Sequence, residues 1–324
     1  MQRFQVRRVT IPYTDASERV ISLVLDDTRR STSDTLDEYG QLIRDPIEAL
    51  QNNNDNFEPP EIIVIRSAPE TDLGQEANRN ELADPRGWVD GDGISHGIAS
   101  GTTHERDDRG RIAIPSSSKN FWMLKPWIDP MLGDQKTEFQ EAVSEQFRID
   151  VSEVDDWLRS EEGLRDFMNG LEALRTRLRV EKKHRFNVTS LSLFSGPVGN
   201  FVDYDHCWHA DGASGHSSSG AVGWLATGDA ELRESGRRNR FLKHFQPESK
   251  GVGTFAPPHH GSHRNFHEDL LTSLDPVICI VGSGGRFKHP NRTVVEAIAK
   301  YGAKLIVADV GVGASLTEHV WAHY

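Results

Sequence analysis

The chain is 324 residues long, 36% apolar and carries a formal net charge of −12, which gives room for one large domain or two ordinary ones with long polar loops or insertions. A field of that sign repels nucleic-acid and membrane surfaces, so a polyanion ligand needs a local basic patch or a metal. Two distant cysteines, Cys207 and Cys279, exclude a disulfide framework and a paired-cysteine zinc motif; with no apolar signal core and no run of membrane-span length, the expectation is a cytoplasmic protein without a membrane partner.

In chain order, "FQVRRVTIPY" predicts a strand and "TSDTLDEYGQLIRDPIEALQ" a helical region. "PEIIVIRSAP" reads as a short buried strand bounded by proline. Residues 70–118 turn polar and rich in Gly, Asp, Arg and Ser, the mark of an insertion or mobile loop. "NFWMLKPWID" is a further strand, and residues 136–182 repeat apolar positions at helical spacing, a helical insertion. In the last third, the strands "VTSLSLF", "VGWLAT", "GVGTFA", "PVICIVGS" and "AKLIVADV" are interleaved with the helices "ELRESGRRNRFLKHF", "NFHEDLLTSL" and "NRTVVEAIAKYG". Asn291 is placed to cap the last helix and Gly302 to stop it. That alternation predicts an α/β layer structure, interrupted by a loop over 195–220. No internal repeat is present.

Three fragments sit where strands end: Asp229 after "GWLAT", His259 and His260 after "GVGTFAPP", and His289 beyond "VICIVGS". Side chains at adjacent strand ends converge on one rim of a sheet, and an Asp with imidazoles there suits zinc or manganese. Singly, each has a plain alternative: Asp229 as the cap of the next helix, the His259-His260 pair as an exposed turn, and His289 as a loop-shaping residue before Pro290. Their order, each after a strand, gives them weight together.

The run "NVTSLSLF…GWLATGDAEL…FAPPHHGS…LDPVICIVGSGGRFKHPN…AIAKYGAKLIVADVGVG", over about 187–313, resembles the second half of a metallo-β-lactamase-fold hydrolase. It is closest to the hydrolase domain of the competence protein ComEC and its small soluble relatives. The carrying residues are Asn187 and Ser190, Thr227-Gly228-Asp229, His259 to Ser262, and His289-Pro290. The resemblance implies an αββα sandwich and a site with two Zn2+ or Mn2+ ions. In it Asp229 bridges the metals, one of His259 and His260 ligates the second, the other contacts substrate or orients its neighbour, and His289 lines the site at the scissile phosphate. The family's His-x-His-x-Asp-His motif is absent from this sequence, and the opening "FQVRRVTIPYTDASERV" reads like the segment that follows it. Three explanations compete: a partner chain supplies the missing part, the start is misassigned or truncated, or the member is degenerate.

The "DHCWHADGASGH" stretch offers Asp205, His206, Cys207, His209, Asp211 and His216 as ligand types; an exposed insertion with incidental histidines is favoured over a separate metal site. His263 and His267 share the spacing of one helical face but lack the zinc-protease glutamate, so a solvated helix start is the reading. Arg233, Arg237, Arg238, Arg240 and Lys243, with Arg286, Lys288 and Arg292 around His289, form the basic residues expected near the rim, where Arg237, Arg238, Arg286 and Lys288 would hold a phosphate backbone. The expected architecture is thus an N-terminally incomplete sandwich, with 1–186 as the remainder of a first half-domain and 187–324 as the second half. The expected function is a metal-dependent phosphodiesterase, most simply a nuclease acting on DNA or RNA. The competing expectations are a degenerate regulatory or scaffolding subunit, and a hydrolase of thioesters, lactams or small phosphoesters on the same fold.

Overall fold

The structure, a computed structural model, describes residues 8–12, 16–17, 20, 61–66, 88–89, 95–96, 103–107, 110–116, 119–130, 132–181, 191–198, 204–210, 213–217, 221–283, 289–309 and 316–322. The chain divides into two compact units, one drawn from 1–66, 98–106 and 130–189, the other from 67–97, 107–129 and 190–324. Two segments from before residue 130 thus group with the C-terminal residues. Among the described residues no helix is long and apolar enough to cross a membrane.

The strands before the helical region are β1 (Arg8–Pro12), β2 (Glu61–Arg66), β3 (Trp88–Val89), β4 (Ser95–His96), β5 (Thr103–Asp107), β6 (Arg111–Ser116) and β7 (Lys119–Trp127). In the first unit β1 pairs in parallel with β2, and β5 completes a three-stranded sheet. The expected helical insertion is three helices, α1 (Leu132–Phe147), α2 (Val154–Arg159) and α3 (Glu161–Glu181). Their apolar stripes bury Phe139, Val143, Leu158, Phe167 and Leu174 against one another. The Ser160 hydroxyl caps the third helix by accepting the Gly163 N–H at 2.9 Å.

The second unit adds β8 (Ser192–Pro197), β9 (Tyr204–Ala210), β10 (Ala213–Ser217), β11 (Gly223–Ala226), α4 (Ser235–His244), β12 (Val252–Ala256), α5 (Asp269–Leu274), β13 (Ile278–Ser283), α6 (Arg292–Tyr301), β14 (Lys304–Asp309) and β15 (Leu316–Ala322). Among the described residues nine strands form one mixed sheet in the order β14-β13-β12-β11-β8-β7-β6-β3-β4. From β11 to β14 the strands are parallel and joined by α4, α5 and α6, the crossover that parallel neighbours require. The alternation read from sequence is therefore real, and the class is α/β. Asn291 accepts the Thr293 N–H at 3.1 Å and Gly302 ends α6 at φ 98°, as expected from the sequence.

The two faces of this sheet are set by strand alternation. Phe194, Leu225, Phe255 and Cys279 face α4, α5 and α6, meeting Phe241, Leu270, Leu274 and Ile298 in one core. On the other face Ile278 and Ile306 meet Trp208. Trp208 belongs to a small antiparallel sheet in the order β10-β9-β15. Here the sequence reading needs correction. The interrupting loop is in part a hairpin, β9 with β10, and β15 was not anticipated. Likewise the polar stretch 70–118 supplies β3, β4 and β6 to the large sheet rather than lying wholly outside it.

The packing of α4 buries a titratable group. His244 is 9% exposed and its Nε2 lies 2.9 Å from the Pro126 carbonyl, so it is the protonated ring nitrogen and donates. Beside it Lys125 is ion-paired to Glu248 at 3.0 Å. Burial first, and the Lys125 charge second, hold the His244 pKa well below its ordinary 6.5. The unfolded chain binds a proton at this position below pH 6.5 and the folded chain does not, so stability contributed by neutral His244 is complete above pH 6.5 and falls with decreasing pH. The expected slope is about 1.4 kcal/mol per pH unit for this one proton. Denaturant unfolding of His244→Asn and the parent between pH 7 and pH 5 checks it; the variant's stability should fall less steeply.

Candidate functional site

Parallel pairing puts the C-terminal ends of β11, β12 and β13 at one edge of the large sheet. Asp229 leaves the first, His259 and His260 the second, and His289 follows the third. The turn after β12 is unusual in its backbone: His259 (φ 49°) and His260 (φ 54°) are consecutive left-handed non-glycine residues, followed by Gly261 at φ 79°. Such residues cost of order 1–3 kcal/mol each and persist where the surroundings over-determine them.

Those surroundings are specific. The His259 N–H donates to the Gly228 carbonyl at 2.8 Å and the Asn291 N–H to the Gly261 carbonyl at 3.0 Å, so the three loops are tied by backbone bonds. Thr227 Oγ1 donates to the Ala256 carbonyl at 2.8 Å, and Ser192 Oγ to the Thr227 carbonyl at 3.2 Å. A Cβ on Gly261 would lie 2.9 Å from Pro290 Cβ, so only glycine allows both the left-handed turn and this approach. The His289-Pro290 peptide is cis.

The side chains meet accordingly. Asp229 Oδ1 lies 3.6 Å from His259 Nδ1, with the two side chains 47% and 34% exposed, open to solvent at the rim. The His259 ring is 5.5 Å from that of His289 and 6.2 Å from that of His260, centroid to centroid. His260 leans over the end of β13, where a Cβ on Gly282 would sit 3.4 Å from its Nδ1. Burial first, then the neighbouring His259, His260 and His263, lowers the His289 pKa below the ordinary 6.5, opposed by Asp229, so this imidazole is neutral at pH 7. Asp229 does not cap the next helix: that role belongs to Glu234, which accepts the Gly236 and Arg237 N–H groups at 2.7 Å each, and these bonds hold its carboxyl below the usual range.

Two donors on one tetrahedral zinc are about 3.4 Å apart for the bond lengths of imidazole and carboxylate ligands, so Asp229 and His259 fit a shared ion. Among the described residues, however, no three His, Cys, Asp or Glu side chains are already arranged to hold a metal.

The basic residues are placed differently from expectation. Arg237 is 8% exposed, with Nη1 2.8 Å from Glu231 and Nε 3.2 Å from Asp129. Arg238 is 7% exposed and bonds Asp269 at 3.0 Å and the Arg233 carbonyl at 2.7 Å. Both are engaged inside the protein, because Asp129 and Asp269 from distant segments, with Glu231 nearby, neutralise them there, and they do not form a strand-holding surface. Arg240 lies 3.9 Å from the same Asp129, and Arg292 pairs with Glu296 at 2.7 Å. Arg286 and Lys288, like Asn187 and Ser190, lie outside the described residues. Among the described residues, exposed Arg233 donates its Nη1 to the His263 carbonyl at 2.7 Å, in the loop that follows His259 and His260. His263 and His267 do not share a helical face. The segment forms turns in which Ser262 Oγ accepts the Arg264 N–H at 3.3 Å, and α5 begins only at Asp269.

Sequence reasoning missed Asn265. It is 5% exposed and its Nδ2 donates to the Asp229 carbonyl at 3.2 Å, fixing the loop that carries the carboxylate. Nothing local distinguishes it from a polar loop residue. No protein-family model, no curated protein and no solved structure matches the chain.

Proposed function

We propose that this rim is the metal-binding edge of a phosphodiester hydrolase of the metallo-β-lactamase type, related to the ComEC hydrolase domain and acting on DNA or RNA. The observation that carries the reading is the 3.6 Å approach of Asp229 and His259, beside the His289 ring, from strand ends far apart in sequence. A helix layer on one face of the large sheet and a second sheet on the other support the sandwich architecture that the reading requires. Zinc or manganese held by Asp229 with His259 would supply water activation and neutralisation of phosphoryl charge. His260, over Gly282, is the further candidate ligand. His289, neutral at pH 7, is suited to donate a hydrogen bond to a phosphate oxygen. Arg233, anchored on His263, supplies positive charge where a phosphate would approach, the role that Arg237 and Arg238 do not fill. A partner chain bearing the absent His-x-His-x-Asp-His motif would complete a two-ion centre.

The test is cleavage of single- and double-stranded DNA, RNA and a chromogenic phosphodiester with added Mn2+ or Zn2+. Metal-dependent cleavage is the expected result; its absence with every substrate leaves the fold-retaining scaffold, which the missing motif favours. Asn265→Ala is expected to lower cleavage by about 10–100-fold, as loss of a group that orients a ligand does, with an unaltered circular-dichroism spectrum. Parental activity would remove Asn265 from the site.

A further inference from the structure

The small sheet β10-β9-β15 has two different faces. Its inner face packs on the large sheet: Trp208 is 8% exposed against Ile278 and Ile306, Glu318 accepts hydrogen bonds from Trp224 Nε1 and from Thr254 Oγ1, and Gly215 sits opposite Trp208, where a Cβ would lie 2.4 Å from the indole nitrogen. Alternation then turns Cys207, His209, His216 and His319 outward together. Register brings them close: Cys207 is directly opposite His216 on one side and His319 on the other. One of the two cysteines and three of the fourteen histidines in the chain thus share one small outer face, a concentration that strand formation does not require.

The geometry points to a second metal site: we infer that this face binds one Zn2+ through Cys207, His209 and His319, with His216 as the fourth donor. Cys207 Sγ is 3.6 Å from His209 Nε2, and a thiolate and an imidazole on one tetrahedral zinc are separated by about 3.6 Å. The rings of His209 and His319 are 6.3 Å apart, about 1 Å more than two imidazoles on a shared zinc require. His209, His216 and His319 are exposed, and exposed side chains change rotamer within nanoseconds, so the donors close on an ion without moving the strands. Directly opposed residues have Cβ atoms about 5 Å apart, within reach of such a closure. A mixed thiolate and imidazole set selects zinc over manganese or magnesium. Binding transfers the Cys207 thiol proton to solvent and involves no oxidation. An ion here would staple β10 and β15 to β9, and the site is independent of the hydrolase reading.

The test is titration of the full chain with Co2+ as a spectroscopic stand-in, then displacement by Zn2+. Thiolate-to-cobalt charge-transfer absorption should appear at one ion per chain, and Zn2+ should raise Tm. Cys279 cannot give that absorption, because it is fully buried and burial pushes its thiol up to about 12. Cys207→Ser should abolish the band and reduce the Zn2+-dependent rise in Tm, His319→Gln should weaken Co2+ binding at least about tenfold, in the range lost with a metal-site group, and Asp229→Ala should leave the charge-transfer band unchanged. Absence of the band in the parent, or its survival in Cys207→Ser or undiminished in a His209→Gln/His319→Gln double variant, would overturn the inference.

Discussion

Replacing Asp229 with Ala is expected to lower Mn2+- or Zn2+-dependent phosphodiester cleavage by about 10³-fold or more. The proposed ion contributes several kcal/mol of charge stabilisation, and each ~1.4 kcal/mol is a factor of ten in rate. Asp229 is the acidic donor that faces His259, so its loss removes both a ligand and the charge that draws a cation to the rim. The fold should survive. The side chain is 47% exposed, the helix after it is capped by Glu234, and its loop is held through backbone atoms by Asn265 and by the Gly228 carbonyl. Asp229→Asn, which keeps the shape and removes the charge, should lose nearly as much. Retention of more than a tenth of the parental rate in either variant would take Asp229 out of the chemistry.

The largest expected effect on stability is at Phe194. This ring is fully buried in the middle of the large sheet, on β8 between β7 and β11, opposite Lys125 and Leu225. The sequence makes space for it: a Cβ on Gly196 or Gly223 would lie 2.3 Å or 2.7 Å from its ring. Phe194→Ala therefore opens a cavity that the sheet cannot collapse to fill, and should cost about 3–5 kcal/mol. A urea midpoint that falls with an unchanged m-value is the readout. A loss below about 1 kcal/mol would mean that β8 does not occupy the centre of this core.

Local signals were readable in the sequence and distant ones were not. The parallel strands, the Asn291 cap and the Gly302 stop are written in short apolar runs and single residues, so they could be read directly. The convergence of Asp229, His259 and His289 followed from the rule that parallel strands end at one edge. Arg237 and Arg238 were misread because a basic helix face looks solvated until Asp129 and Asp269 arrive from elsewhere, and Glu231 folds back from just ahead of the helix, to pair with it. The β9–β10 hairpin was read as a loop because Asp, His, Gly and Ser dominate its alternating pattern. Of the donors on its outer face, Cys207, His209 and His216 were named as ligand types and read as incidental; His319 could not be added to them, because it joins Cys207 only through pairing between strands more than a hundred residues apart. His263 and His267 were assigned to a helix by spacing alone, whereas Ser262 turns the chain first.

Manganese binding at equilibrium tests the central claim most directly, because Mn2+ favours carboxylate and imidazole over the thiolate-bearing face of the small sheet. Dialysis of the parent against Mn2+, alongside Asp229→Ala and His259→Ala, should find ion retained by the parent and lost from both variants. Equal retention by all three, or none by the parent, would contradict a cation held between these two side chains.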